Sequence, residues 1–199
     1  MQKKSERRFY LRHFKAISHA IATYEDLNTL IKHLAEGTSR TFKAKGCSIM
    51  LLDEQENQLF HVASYGISKD YLQKGPVFFD IKHCALCTGE PVFVENMQDD
   101  SRVQYPGAAA KEGIVSMLSI PIKSRDKIIG ILRIYHAEPW IIDKEDIESL
   151  CVLTELLGLV IDYNGLKNFL DQVKVALESL PLRMLGGIAC EGTTRQRYD

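Results

Sequence analysis

The densest run of β-branched and apolar residues lies between Gly113 and Tyr135 and is broken once, by the polar segment 124–127. Two apolar runs around a short polar turn predict a β-hairpin. If Lys123 lies opposite Ile128, period-2 alternation places these residues on one face: Ser116, Leu118, Ile120, Ile122, Ile129, Ile131, Arg133 and Tyr135. The other face then holds Met117, Ser119, Pro121, Gly130, Leu132 and Ile134. Neither face is polar enough to be solvated. We therefore expect helices to approach the side of Ser119 and Gly130, and a pocket on the side of Arg133.

The preceding residues predict two helices and a second hairpin. Helical spacing in 6–22 gives the stripe Tyr10, Phe14, Ile17 and Ile21. Thr23, followed by the carboxylate of Asp26, is typical of an N-cap and predicts a second helix. Its expected apolar face is Leu27, Leu30, Ile31, Leu34 and Phe42. Strands are predicted at 46–53 and 58–64, on either side of a polar turn.

The segment 65–113 loses regular periodicity, and irregular segments on a rigid scaffold often carry binding sites. Within it the pattern predicts short helices at 81–88 and 102–112 and a short strand at 92–95.

A long helix is predicted from the Asp143 cap to Leu180, which precedes a proline. Its apolar positions are Ile147, Leu150, Leu153, Leu157, Val160, Ile161, Leu166, Phe169, Leu170, Val173, Leu177 and Leu180. We expect one domain over 1–165, an extension of the C-terminal helix over 166–180 and a mobile tail over 181–199.

Four segments together resemble the GAF domain family: TGEPV at 88–92, SMLSIPI at 116–122, IGIL at 129–132 and DIESL at 146–150. The resemblance covers about residues 10–165. It implies an α+β fold with a central antiparallel sheet, end helices on one face and an irregular ligand-pocket segment on the other. It also implies regulation rather than catalysis. We therefore expect a small-molecule-sensing protein of signal transduction that is not an enzyme and has no cofactor.

Three specialised branches of the family match less well. Free methionine sulfoxide reductases place a nucleophilic cysteine before the fifth strand, where this chain reads QYPGA at 104–108. Bilin-binding members need a pocket cysteine often followed by histidine, whereas here the order is His83 then Cys84. The Asn-Lys-Phe-Asp-Glu pattern of cyclic-nucleotide-binding members is not recognisable.

The composition of the chain further limits the class of protein to which it can belong. The chain has 199 residues, 45% of them hydrophobic, and a net charge of -1, which gives no general attraction to nucleic acid or to acidic membranes. The sequence has no signal-peptide pattern, and no apolar run approaches the length of a membrane span, so we expect a cytoplasmic protein. Five cysteines without an export signal favour reduced thiols.

Cys84 and Cys87, with CxxC spacing beside His83, form the motif of the sequence with the clearest potential for chemistry. They could be a redox pair, hold a metal with His83, or simply fill space as small buried side chains. A closed zinc site needs a second ligand pair, which the sequence lacks, so we expect no metal site. A thiol-based redox sensor or oxidoreductase, or a ligand-free interaction domain, remains an alternative function.

Arg133 lies in an apolar strand, where an unpaired charge would be costly. It either forms a buried ion pair, with Asp53 or Asp80, or binds an anionic ligand. The expected ligand-binding residues are Arg133, Tyr135, Ser116, Leu118, Tyr105 and Ile131, and no catalytic residue is expected.

The stripe of the terminal helix is longer than a sheet of short strands can cover. We therefore expect a homodimer formed by the end helices, which relay the ligand state to a signalling partner protein. The two stripes could instead cover each other within one chain.

Overall fold

The computed structural model describes residues 26–78 and 84–178, with side chains described up to residue 175. The predicted first helix, the tail, Asp80 and His83 lie outside these residues. Five helices and six strands occur in the described ranges. In chain order they are α1 (Leu27–Thr41), β1 (Gly46–Asp53), β2 (Gln58–Tyr65), α2 (Lys69–Leu72), β3 (Val77–Phe78), α3 (Ala85–Thr88), β4 (Val92–Val94), α4 (Pro106–Glu112), β5 (Ser116–Ser124), β6 (Lys127–His136) and α5 (Lys144–Glu178).

The six strands form one antiparallel sheet in the order β3-β2-β1-β6-β5-β4. Both hairpins, β1–β2 and β5–β6, were predicted. The α+β class is confirmed. The N-cap of helix α1 is Asp26, three residues after the predicted cap Thr23. The Asp26 carboxylate accepts hydrogen bonds from the backbone N–H groups of Asn28 and Thr29.

The main hydrophobic core lies between one face of the sheet and the helices α1 and α5. Its fully buried members include Leu30, Ile31, Phe42, Ile49, Leu118, Ile120, Ile122, Leu132, Ile134, Leu150 and Leu157. Two smaller clusters cover the other face, one around Tyr71, Met117 and Tyr135 and one around Met50, Leu59 and Ile131. The sheet is therefore buried on both sides, as its apolar composition predicted.

The predicted register of the β5–β6 hairpin was wrong by one residue beyond the turn. Lys123 does pair with Ile128, but Ile122 pairs with Gly130, so Ile129 is a bulged residue. A one-residue shift moves every following side chain to the opposite face. Arg133 consequently lies opposite Ser119 rather than opposite Leu118.

The expectation that Ser119 and Gly130 share one face, which helices approach, was also wrong, because Gly130 pairs with Ile122 of the main core. Ser119 is opposite Arg133, and a Cβ on Gly130 would lie 2.3 Å from the backbone oxygen of Met50 in β1. The close approach of a helix occurs instead at Gly158 in α5, where an added Cβ would lie 1.8 Å from the backbone oxygen of Lys123. Only a glycine lets α5 pass the end of the hairpin at this distance.

Helix α5 is 35 residues long. One compact unit of the chain ends at Ile161 and a second begins at Asp162. No segment of membrane-spanning length was expected from the sequence. The part of α5 from Lys144 to Val175 is nevertheless long and apolar enough to cross a membrane, and 28% of its most apolar window is buried inside the protein. Core residues such as Leu150 and Leu157 belong to the same helix, and the core helix of a soluble domain can have the same length and composition.

Gly158→Ala should destabilise the domain by about 1–3 kcal/mol, because the new methyl group overlaps the Lys123 carbonyl and forces the helix away from the hairpin. The measurement is urea unfolding followed by circular dichroism. Gly165→Ala is the matched control in the same helix, since beyond the helix's own adjacent backbone no atom of the described residues lies within 4 Å of the position that its methyl group would occupy. The control should be neutral or stabilising by up to about 1 kcal/mol. Equal stability of the two variants would contradict the packing described for α5.

Candidate functional site

A cavity of about 50 Å³ lies on the face of the sheet opposite the main core. Strands β2, β3, β5 and β6 and the irregular segment between β2 and β5 supply its walls. Its lining includes Leu59, Lys74, Val77, Cys84, Arg102, Gln104, Tyr105, Met117, Ser119, Ile131 and Arg133. The irregular segment was predicted to carry a binding site, and it contributes much of this lining.

Arg133 is half-buried on the central strand β6 and lines the cavity. Its cross-strand neighbours are small hydroxyl residues, Ser48 in β1 and Ser119 in β5. The Arg133 Nε lies 3.5 Å from the Ser119 Oγ, which is at the outer limit of a hydrogen bond. Small neighbours on both sides leave room above the guanidinium for another group.

Lys74 and His61 add basic groups to this side of the sheet. Burial, together with Arg133, lowers the pKa of Lys74 to about 8, and Glu112 partly offsets this effect. The Lys74 Nζ lies 4.0 Å from the centre of the Tyr71 ring and donates to the Tyr71 carbonyl at 3.1 Å. Burial, with Lys74 and Arg133, lowers the pKa of His61 to about 4. At neutral pH this side of the sheet therefore carries a neutral imidazole at His61, while the cavity itself is lined by a guanidinium and an ammonium.

Among the described residues, no carboxylate lies within ion-pair distance of Arg133 or Lys74. Two carboxylates that could have paired with these cations have other partners. Glu112 accepts hydrogen bonds from the backbone and the hydroxyl of Ser68. Asp53, one of the predicted partners of Arg133, accepts from two backbone groups in the β1–β2 turn. Neither carboxylate therefore forms an ion pair with Arg133 or Lys74, although the charge of Glu112 acts on Lys74 from a greater distance.

Arg102, the third cation of the lining, does have a carboxylate partner. Its Nη2 lies 2.5 Å from Asp100 and donates to the Phe93 carbonyl at 3.1 Å. This pair ties the irregular segment to β4 and contributes little net charge to the pocket. Arg102 is thus a structural residue.

Tyr105 and Gln104 close the pocket from the segment before α4. The Tyr105 hydroxyl donates to the Pro76 carbonyl at 2.7 Å, and the Gln104 amide donates to the Phe78 carbonyl at 2.7 Å. Both side chains therefore fasten this segment to β3.

The Gln104 Oε1 and both ring nitrogens of His61 are buried and form no hydrogen bond with the described residues. Buried polar atoms without partners are uncommon and often mark a place for a bound molecule or water.

Three predicted ligand residues do not line the cavity. The shifted register turns Leu118 into the main core, and Ser116 is fully buried with its hydroxyl donating to the Glu138 carbonyl at 2.8 Å. Tyr135 lies on the pocket side of the sheet but is 1% exposed, and its hydroxyl is 3.1 Å from the Ser48 hydroxyl. Burial raises the pKa of Tyr135 against the opposing effect of Arg133.

Arg133, Ile131 and Tyr105 do line the cavity. Sequence reasoning missed Lys74, Ser119 and Gln104. The correct register would have identified Ser119, whereas Lys74 and Gln104 lie in a segment without periodicity and carry no signal in the sequence.

Cys84 and Cys87 lie at the edge of the pocket. Cys84 lines the cavity and caps α3, and its Sγ is 2.9 Å from the Sγ of Cys87. The described part of the chain contains no cluster of three or more His, Cys, Asp or Glu side chains that could hold a metal ion. His83, the third member of the predicted metal set, lies outside that part.

Comparison with known proteins places this geometry in a family. The GAF domain family model matches residues 26–161. The GAF domain of an Acinetobacter phosphoenolpyruvate-protein phosphotransferase superposes with a TM-score of 0.67 at 24% identity, covering 77% of this chain and 92% of that one. The corresponding domain from Coxiella burnetii has a TM-score of 0.72 at 18% identity, with coverages of 79% and 95%.

A similar fold also occurs in an enzyme. The free methionine-R-sulfoxide reductase from Neisseria meningitidis, solved with its substrate, has a TM-score of 0.66 at 18% identity, covering 79% of this chain and 92% of that one. No protein of curated function matched the chain significantly. The match to the family model extends over more than half of the sequence. The chain belongs to the GAF domain family, a class of generally sensory, small-molecule-binding domains.

Proposed function

We propose that this GAF domain is a regulatory sensor that binds a small carboxylate anion against Arg133 and relays occupancy through α5. The observation that carries the proposal is the charge of the pocket. Arg133 and Lys74 line one cavity, and no carboxylate of the described residues lies within ion-pair distance of either. Half-buried cations without a counter-charge are unfavourable, and an anion that enters the pocket relieves that cost.

The shape of the guanidinium favours a carboxylate. A planar guanidinium can donate two parallel hydrogen bonds to the two oxygens of a carboxylate, which adds geometric selectivity to the attraction of charge. Ser119 beside it offers a further hydroxyl. The Gln104 Oε1 in the same lining needs a hydrogen-bond donor. A hydroxy acid would meet both requirements: its carboxylate accepts from the Arg133 guanidinium, and its hydroxyl group donates to the Gln104 Oε1.

The volume of the cavity limits the size of this ligand. One water molecule needs about 10–15 Å³ on the same measure, so a cavity of about 50 Å³ has room for roughly four waters. A short hydroxy acid fits this space better than a nucleotide. This agrees with the absence of the nucleotide-binding pattern from the sequence.

A regulatory role is favoured over catalysis by the residues of the segment before β5. This segment contributes Gln104 and Tyr105 to the pocket, and both side chains are engaged in fastening it to β3. It carries no cysteine at 104–108, the position expected for a sulfoxide-reducing nucleophile from the resemblance. The pocket residues thus serve binding and positioning.

The second half of α5 offers a surface for the relay. Apolar residues spaced alternately by four and three positions are exposed along it: Leu159, Tyr163, Leu166, Leu170 and Val173. This spacing is the heptad pattern of a coiled-coil seam, in which a second helix covers the exposed stripe. A second copy of the chain supplies an identical stripe, so a two-fold dimer through α5 satisfies both.

The first prediction from this proposal concerns the ligand. Titration of the protein with lactate, followed by isothermal titration calorimetry, should show saturable binding. Arg133→Met should weaken that binding by at least about tenfold, because a hydrogen bond to a charged group contributes about 1.5–3 kcal/mol. Pyruvate, which replaces the hydroxyl donor with an acceptor, should bind more weakly than lactate.

Lys127→Met is the matched control, since it removes an exposed cation from the same strand and should bind lactate like the wild type. Acetate, succinate and inorganic phosphate complete the series and report the size and charge that the pocket accepts. The proposal fails if none of these anions binds the wild type, or if Arg133→Met binds them as tightly as Lys127→Met does.

The second prediction concerns assembly. The wild type should be a dimer at micromolar concentration in size-exclusion chromatography with light scattering. Replacing Leu166 and Leu170 by Glu should give a monomer, because the four carboxylates of two chains would meet in the seam. The circular dichroism signal of the β-sheet should stay unchanged. Val175→Glu is the matched control: Val175 is 64% exposed on the same helix but lies outside the alternating spacing.

A wild type that is already monomeric would contradict the relay through a dimer. Dissociation of the Val175→Glu control to the same extent as the double variant would contradict the assigned seam. Recovery of the wild type only with the membrane fraction would show that the apolar stripe of α5 meets lipid instead of a second copy.

A further inference from the structure

The two thiols at the pocket edge are arranged for a reaction that the binding of an anion does not use. The Sγ atoms of Cys84 and Cys87 are 2.9 Å apart. A disulfide has a sulfur–sulfur distance of about 2.05 Å, so closure of the bond needs an approach of less than ~1 Å. Neither the rest of the sheet nor the main core has to move for so short a displacement.

The local backbone holds the pair in this position. Cys84 is the N-cap of α3, and its carbonyl accepts hydrogen bonds from the backbone N–H groups of Cys87 and Thr88, both at 3.0 Å. The Cys87 N–H also lies 3.3 Å from the Cys84 Sγ, which fixes that sulfur over the first turn. The chain then leaves the turn through Gly89 in the left-handed conformation.

The two sulfurs differ in their access to solvent. Cys87 is exposed, whereas Cys84 is half-buried and forms part of the cavity wall. Of the other described cysteines, Cys47 is fully buried and Cys151 is half-buried, and burial raises the pKa of both thiols. What distinguishes Cys84 and Cys87 is that their two sulfurs lie side by side with one of them exposed, which is the arrangement that a dithiol pair needs.

We propose that Cys84 and Cys87 form a reversible dithiol–disulfide pair, oxidised by hydroperoxides, in the wall of the pocket. The Cys87 thiolate attacks one peroxide oxygen, the O–O bond breaks, and the departing hydroxide takes up a proton to give water and a Cys87 sulfenic acid. The Cys84 sulfur then attacks the Cys87 sulfur, and the S–O bond breaks with release of a second water. Two thiols lose two electrons in total, and one hydrogen peroxide becomes two waters.

The disulfide changes one wall of the cavity, because Cys84 contributes to its lining. The oxidation state of the pair therefore becomes a second input to the same domain. This proposal does not depend on which anion occupies the pocket. A thiol such as dithiothreitol reverses the step by exchange, which restores both cysteines.

The test uses the chain of 199 residues and one equivalent of hydrogen peroxide. Intact mass spectrometry should show the loss of two hydrogen atoms, and peptide mapping should place the cross-link between Cys84 and Cys87. Dithiothreitol should restore the original mass. The control Cys151→Ser should behave like the wild type, since it removes a cysteine outside the pair.

Two further variants identify the order of attack. Cys84→Ser should accumulate a sulfenic acid at Cys87 that a cyclic 1,3-diketone reagent traps, whereas Cys87→Ser should lose both the cross-link and most of the trapping. Thermal unfolding of each variant checks that it folds. Two alkylatable thiols at Cys84 and Cys87 after peroxide treatment, or a cross-link to another cysteine or another chain, would overturn the proposal.

Discussion

The bulge at Ile129 is the constraint on which the pocket depends. It shifts the pairing between β5 and β6 by one residue after the turn, so that Ile122 pairs with Gly130 and Ser119 with Arg133. Because side chains alternate along a strand, this shift assigns Leu118, Leu132 and Ile134 to the main core and Arg133 to the other face. Without the bulge, Arg133 would pair with Leu118, a residue of the main core, instead of with Ser119.

The two faces of the sheet are consequently built for different purposes. The core face carries large aliphatic side chains in contact with α1 and α5, and Gly158 allows α5 to pass close to Lys123. The pocket face carries serines on both sides of Arg133 and is closed by a segment that is fastened through Tyr105 and Gln104. Stability comes mainly from the first face, which leaves the second free to hold charge. The proposed disulfide pair lies at the edge of that second face.

Much of the fold could be predicted from the sequence, because each hairpin and the long helix have strong periodicity and clear turn signals. The bulge could not be predicted: Ile128 and Ile129 are equally apolar, so alternation contains no mark of which residue is extra. Arg133 was identified as a pocket residue from its charge within an apolar strand, although the register used for that argument was wrong. The pocket residues of the irregular segment depend on tertiary contacts. Lys74 has no periodic neighbour to indicate that it packs on Tyr71 and lies near Arg133.

The central claim is that the pocket concentrates positive charge with which no carboxylate of the described residues forms an ion pair. The most direct test is the titration of the Lys74 side chain by NMR, observed at its Cε in protein with labelled lysine and assigned with Lys74→Arg. Burial and the neighbouring Arg133 lower the pKa of Lys74, so its resonance should titrate near pH 8, and the midpoint should move upward when the anion enters. A midpoint close to the ordinary lysine value of about 10.4 in the free protein would contradict the account, because it would mean that the ammonium is solvated or already neutralised.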